Sequence, residues 1–256
     1  MSKFFFEHSL NIDDICYGFF TRQGGCSLNN FDSLNCSFSS GDNIDIVNKN
    51  INLALKSINL QNKKIKFIKQ THSNNVAIIN NNNLNSLITA DASITKSKNI
   101  VLAILTADCA PVFLFDKEST FICSIHVGWK GCLNNIIKIT LEKIKAMDIN
   151  NKNLIAIIGP CLAQKNFEVD SIFRRNFIQK NSNYKIFFSK KLNQNKYFFN
   201  MRNLINFQLQ EFLSKSIYNI SLDTYKNSDL FFSHRKSTHQ NALPTGRMIN
   251  LIGFND

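Results

Sequence analysis

The sequence predicts one domain of mixed strands and helices outside the doubly wound class, on three observations. The chain has 256 residues, 44% of them apolar, enough for a substantial core. Short apolar runs are interspersed with segments of helical spacing, without the strict strand–helix alternation of a doubly wound sheet. With only 9 Gly and 3 Pro, the chain shows no breaker-rich linker, and it has no internal repeat.

The elements follow in order. Residues 15–22, ICYGFFTR, read as a strand entering a turn at Gln23-Gly24-Gly25, and the Ser- and Asn-rich stretch 26–43 reads as loop. Apolar residues at 44, 47, 51, 55 and 58 predict a helix over 44–60, capped by Asp42 or Asn43. IKFIKQTHSNNVAII (65–79) predicts a strand, a polar break at 70–75 and a second strand, with NNNLN (81–85) as a connector. ADASIT (90–95) precedes a buried strand at 100–105, and 112–115 predicts another. FICSIHVGWKG (121–131) predicts a strand ending in a glycine-flanked turn, and 132–147 an amphipathic helix. A buried strand over 154–161, helices over 168–180 and 200–218, a strand into a loop at 231–237 and a last strand at 245–254 complete the chain.

Composition limits the function classes. The formal charge is +12, but the cations are scattered and like-charge runs are two residues long, so neither a nucleic-acid groove nor a membrane surface is expected. Seven cysteines without a C-x-x-C pair indicate a reducing compartment rather than a disulfide framework. The acidic residues that soon follow the N-terminus argue against a signal peptide, and no apolar run approaches a membrane span. The expectation is a soluble cytoplasmic protein.

Polar residues that can do chemistry gather at the ends of the apolar strands: His72, Cys109 and His126. If these ends belong to one sheet, the three converge in space. Two imidazoles and a thiolate suit zinc, or copper, and three protein ligands leave a position for water. The same residues admit a metal-free reading, with Cys109 as nucleophile and His126 as its base. Asp108 and Pro111 interrupt what is otherwise a buried strand, which argues that Asp108-Cys109 bends into a site. His8, His239, Cys16, Cys36, Cys123 and Cys132 read as ordinary surface or packing residues. Arg22, Lys130, Arg235 and Arg247 stand beside glycines or turns, a pattern suited to phosphate or carboxylate recognition, and Trp129 offers a face for stacking on a base.

TRQGGCS (21–27), QTHSNNV (70–76), ADASIT (90–95), LTADCAPVFLFD (105–116), HVGWKG (126–131), IGPCL (158–162), FFSHRK and PTGRM occur in the order of the bacterial YfiH-type proteins, and the chain resembles that family along nearly its whole length. The family was long described as laccase-domain or multicopper polyphenol oxidases, and is now regarded as purine nucleoside phosphorylases with adenosine deaminase activity. The resemblance implies an α+β fold with two mixed sheets packed between helical layers. It implies a metal site of His72, Cys109 and His126, usually zinc. For the reaction, Asp108 or a nearby group is expected to handle the proton, and Arg22, Lys130 and Arg247 to bind substrate or phosphate. It also implies adenosine, inosine or methylthioadenosine as the nucleoside and inorganic phosphate as co-substrate. The C-terminal motif departs from the family's FFSYRR: here it reads FFSHRKSTHQNALPTGR, with His234 for the aromatic and a longer insert, which bears on Arg235 more than on Arg247. Two other activities stay open: a cysteine- or metal-dependent amidase acting on cell-wall precursor peptides, and a copper-dependent polyphenol oxidase. The latter needs many histidines, and the chain has 5.

Overall fold

The computed structural model describes residues 4–7, 13–149, 153–191, 195–213 and 216–255. The chain opens with β1 (Phe5–Phe6) and β2 (Ile15–Phe20), then the loop predicted from its Ser and Asn content. Helix α1 (Ile44–Ser57) is capped by Asn43, whose side chain accepts from the amides of Asp45 and Ile46, and not by Asp42. It stops short of residue 60 because Asn59 adopts φ 57°, and the amides of Asn59 and Leu60 return to the carbonyls of Lys56 and Leu55. Then come β3 (Lys64–Phe67), β4 (Val76–Ile78), β5 (Ala92–Thr95), β6 (Ile100–Thr106), β7 (Ala110–Asp116) and β8 (Ile122–Val127).

Four expectations are corrected beyond this point. The helix expected over 132–147 is two: α2 (Trp129–Leu133), which absorbs the expected glycine turn, and α3 (Ile136–Lys145). Asn135, at φ 56°, separates them, and its side chain accepts from Tyr184 and Gln208. After β9 (Leu154–Ile158), the segment 168–180 begins as β10 (Glu168–Asp170), and Asp170 then caps α4 (Ser171–Lys180). β11 (Phe188–Lys190) and β12 (Lys196–Phe199) follow. The helix expected over 200–218 ends early, as α5 (Met201–Gln210), because residues 217–219 form β13 (Ile217–Asn219) and pair in parallel with β9. Residues 231–233 are not a strand: Ser233 caps α6 (His234–His239), which precedes β14 (Met248–Phe254).

Five strands form a mixed sheet in the order β1-β2-β14-β6-β3, six form another in the order β13-β9-β7-β8-β5-β4, and β10-β12-β11 make a small third sheet. The two large sheets face each other across Tyr17, Phe19, Leu102, Phe113, Phe115, Ile157 and Phe254. The other face of the five-stranded sheet buries Val101, Ala103, Ile249 and Leu251 against Val47, Ile51 and Ala54 of α1. The other face of the six-stranded sheet packs on α3 and α5 through Ile137, Leu141, Leu204 and Ile205. The layering is helix, sheet, sheet, helix, as the resemblance implies. Among the described residues no helix is long and apolar enough to cross a membrane.

The interruption at Asp108-Cys109 now has its explanation. β6 belongs to the five-stranded sheet and β7 to the six-stranded one, so residues 107–109 carry the chain between sheets. Asp108, at φ 90°, makes the bend. Pro111 is tolerated near the start of β7, where its missing N–H removes little and its carbonyl still accepts from the Gly159 amide. The expectation of a single sheet at the site is therefore corrected: the site lies where the two sheets exchange chain.

Candidate metal centre

His72 follows β3 of one sheet, Cys109 sits on the crossing, and His126 lies in β8 of the other sheet. The structure nevertheless brings all three together: one ligand atom from each lies within 4.8 Å of the others. Cys109 Sγ is 3.6 Å from His72 Nε2, and the two imidazole rings are 4.9 Å apart at 74°. Burial is graded, with His126 buried, Cys109 half-buried and His72 exposed, so the cluster has an inner wall and an open face. Gly128 closes the inner side: a Cβ there would stand 2.6 Å from His72 Cδ2 and 3.1 Å from Cys109 Sγ.

One residue absent from the predicted site organises it. Asp91 is fully buried at the entry to β5. Its carboxylate accepts from His126 Nδ1 at 2.8 Å, from the amides of Thr71, His72 and Ser73 at 3.1, 3.0 and 2.6 Å, and from the Ser73 hydroxyl at 2.7 Å. Both histidines thus depend on one carboxylate: His126 through its ring, His72 through its backbone, which is held at φ 59°. The bond to Nδ1 leaves His126 Nε2 as the lone-pair donor facing the cluster. Burial opposes charge on Asp91, but the hydrogen bonds from His126 and Ser73 outweigh it and hold the carboxyl well below its usual range. Burial likewise opposes the Cys109 thiolate, and His126 and His72 overcome it, so the thiol is lowered and the His126 imidazole raised. Buried Cys36, Cys123, Cys132 and Cys161 have thiols pushed up by burial, as packing residues should. Two imidazole nitrogens and a thiolate with an open side fit a transition metal of the zinc or copper kind.

Asp108 does not face this cluster freely. Its Oδ1 accepts from Thr224 and its Oδ2 from the Arg235 amide, both at 2.6 Å, which pins the start of α6 beside Cys109. Arg247 approaches the same place: burial lowers its pKa, and Cys109 and Asp108 are near enough to offset part of that. Its Nη1 donates to the carbonyls of Thr245 and Gly246. Exposed His234 is lowered by partial burial and by Arg247, with His72 also close. Arg22 is committed locally, donating to the carbonyls of Asp32 and Ser228 with its guanidinium 4.4 Å from the Phe232 ring. His239 bonds the Tyr225 hydroxyl, and His8 lies outside the described residues.

A cleft of about 400 Å³ opens beside the centre, lined by Trp129, Phe167, Phe173, Glu168, Lys196 and Arg235 among others. Each of two walls is one residue from a group that touches the centre: Trp129 follows Gly128, and Arg235 carries the amide that binds Asp108. Exposed Lys130 stands at its rim, 5.5 Å from the Trp129 ring.

Comparison with known proteins agrees with this architecture. The chain is 36% identical over 188 residues to a Rickettsia prowazekii purine nucleoside phosphorylase, covering 73% of this chain and 77% of that protein. It is 29% identical over 232 residues to the purine nucleoside phosphorylase YfiH of Escherichia coli, covering 91% and 90%. A Neisseria meningitidis crystal structure superposes with a TM-score of 0.87 at 25% identity, covering 99% of this chain and 100% of that one. A Bacillus licheniformis protein described as hypothetical protein YfiH shares the fold, with a TM-score of 0.84 at 24% identity over 94% and 93%. The family described as multi-copper polyphenol oxidoreductase laccase matches residues 16–255, and this chain belongs to it.

Proposed function

We propose that the protein is a cytoplasmic purine nucleoside phosphorylase. It would cleave adenosine, inosine and methylthioadenosine with phosphate to the free base and ribose 1-phosphate or its methylthio analogue, with zinc-dependent deamination of adenosine as a second activity. The observation that carries this reading is an open His–Cys–His cluster with Arg247 close by and an aromatic cleft alongside. The names of the relatives support it.

His72, Cys109 and His126 would hold the metal. Zinc suits that donor set and, once bound, supplies Lewis acidity that polarises substrate atoms and brings the pKa of water near neutrality; copper is the alternative. The chain's own residues do the rest. In phosphorolysis a phosphate oxygen bonds to C1′ as the C1′–N9 bond breaks, and the base leaves with the bonding pair. Positive charge builds on the ribose, so phosphate must be held close and correctly turned. We assign that holding to Arg247, with Lys130 drawing the anion to the rim. Arg22 is already donating to the carbonyls of Asp32 and Ser228. Asp108 keeps α6 against the centre, and His234 at the start of that helix is the rim group placed to move a proton.

A second reading has one observation in its favour. Cys109, His126 and Asp91 stand in the order of a thiolate, its base and an orienting carboxylate, the arrangement of a cysteine amidase. Chelation separates the two. On the phosphorylase reading, stripping metal abolishes any metal-dependent deamination, and Cys109→Ser loses metal with it, while base release from inosine depends on phosphate. Peptide-amide cleavage that survives chelation, with inosine left intact in phosphate, selects the amidase.

A further inference from the structure

We propose that the cleft beside the metal centre is the base subsite, and that the free edge of Arg235 makes it prefer 6-oxopurines, ranking inosine above adenosine and methylthioadenosine among the substrates. The inference rests on the nucleoside reading above. Trp129 and Phe173, packed against each other with ring centroids 5.1 Å apart at 52°, give the cleft a continuous aromatic wall on which a flat heterocycle can rest. Arg235 supplies the polar edge. Its guanidinium lies 5.4 Å from the Phe167 ring, which sets its plane, and Nη1 donates to the Glu168 carbonyl at 2.9 Å. Nε and Nη2 have no protein partner among the described residues, and these are the two parallel N–H groups of the guanidinium fork.

The carboxylates nearby are partly engaged. Both Glu168 oxygens receive lysines, one from Lys191 and one from Lys196, each at 2.5 Å. Asp170 Oδ1 accepts from the Phe173 amide. Arg235 and Lys196 give the cleft its donors, and Arg235 presents the paired ones. A 6-oxopurine offers two adjacent acceptors, O6 and N7, which an arginine fork meets bidentately. A 6-aminopurine puts an amino donor beside N7, so one N–H of the fork faces another donor. The choice between inosine and adenosine then falls to a residue of the departed C-terminal motif, rather than to the metal ligands.

Trp129 is the only tryptophan, so fluorescence excited selectively at tryptophan reports on a residue of this cleft. Inosine, guanosine and adenosine are titrated into the intact protein, and phosphorolysis of the same nucleosides is followed in parallel. The expected result is saturable change in Trp129 emission, with inosine and guanosine bound tighter than adenosine by on the order of tenfold or more. Arg235→Gln closes that gap, and Arg235→Lys closes it too because charge without the fork does not restore it. Circular dichroism checks both variants for folding. A gap unchanged in both, or emission unmoved by a nucleoside the enzyme cleaves, overturns the subsite. Saturable emission without phosphorolysis leaves the subsite standing and removes the phosphorylase reading. Neither signal nor cleavage removes both.

Discussion

Single side chains decide whether the centre can hold a metal, and the most informative one is Asp91. It sets the His126 tautomer and the backbone of His72 from one buried position. Asp91→Asn is expected to lower zinc affinity by roughly 10–100-fold in a chelator competition, the usual cost of losing such an orienting carboxylate. Unaltered affinity would show that the histidines hold their places alone. The thiols give a second residue-scale expectation. In metal-free protein at neutral pH, iodoacetamide should modify Cys109 fastest, because His126 and His72 lower its thiol, while Cys36, Cys123, Cys132 and Cys161 stay protected by burial. Bound zinc should protect Cys109, and mass spectrometry of the labelled peptides reads both effects. His72, Cys109 and His126 were legible in the sequence because each stands where an apolar run meets polar or turn-forming residues. Asp91 was not, since it acts through hydrogen bonds to residues 18 to 35 positions away. Its one visible signal is a lone acid opening the buried run ADASIT.

At the scale of elements, local chemistry fixes where segments end, and tertiary pairing overrides periodicity. Asn43 and Asn59 bound α1 by capping rules that a sequence can show. The break at Asn135 and the shortening of α5 depend on partners far along the chain, so helical spacing alone ran through them. The small sheet carries a pH expectation. Glu168, on β10, is held from 4.5 down to about 2 by hydrogen bonds from Lys191 and Lys196. A lowered folded-state pKa means that the unfolded chain takes up the proton first. The stabilisation is therefore whole above pH 4.5 and is lost as pH falls toward 2. The pair is solvent-accessible, so the effect is modest. Glu168→Gln should flatten the fall of Tm across that window, and an unchanged slope contradicts the ion pair's contribution.

Across the whole molecule, the metal centre is a product of two sheets meeting. His72 and Cys109 lie on the two segments that cross between the sheets, and His126 lies in the six-stranded sheet. Apolar content and strand count showed a mixed fold with a large core, but not which strands share a sheet, because β6 and β7 are both almost wholly buried and only their pairing separates them. Phe113 stacks on Phe19 at 4.6 Å in the layer between sheets. Phe113→Ala should cost about 3–5 kcal/mol by denaturant unfolding. It should also weaken zinc binding, because Cys109 reaches the histidines from the segment that joins the two packed sheets. Loss of stability with undiminished zinc affinity would show that the loops set the ligands without the layer beneath.

The measurement that bears most directly on the proposed activity is phosphorus NMR of the zinc-loaded protein with inosine and phosphate, run beside Cys109→Ser. The expected spectrum shows ribose 1-phosphate growing in step with hypoxanthine for the wild-type chain, and no base release without phosphate. Hypoxanthine formed without ribose 1-phosphate, or inosine left intact, contradicts a phosphorylase at this centre.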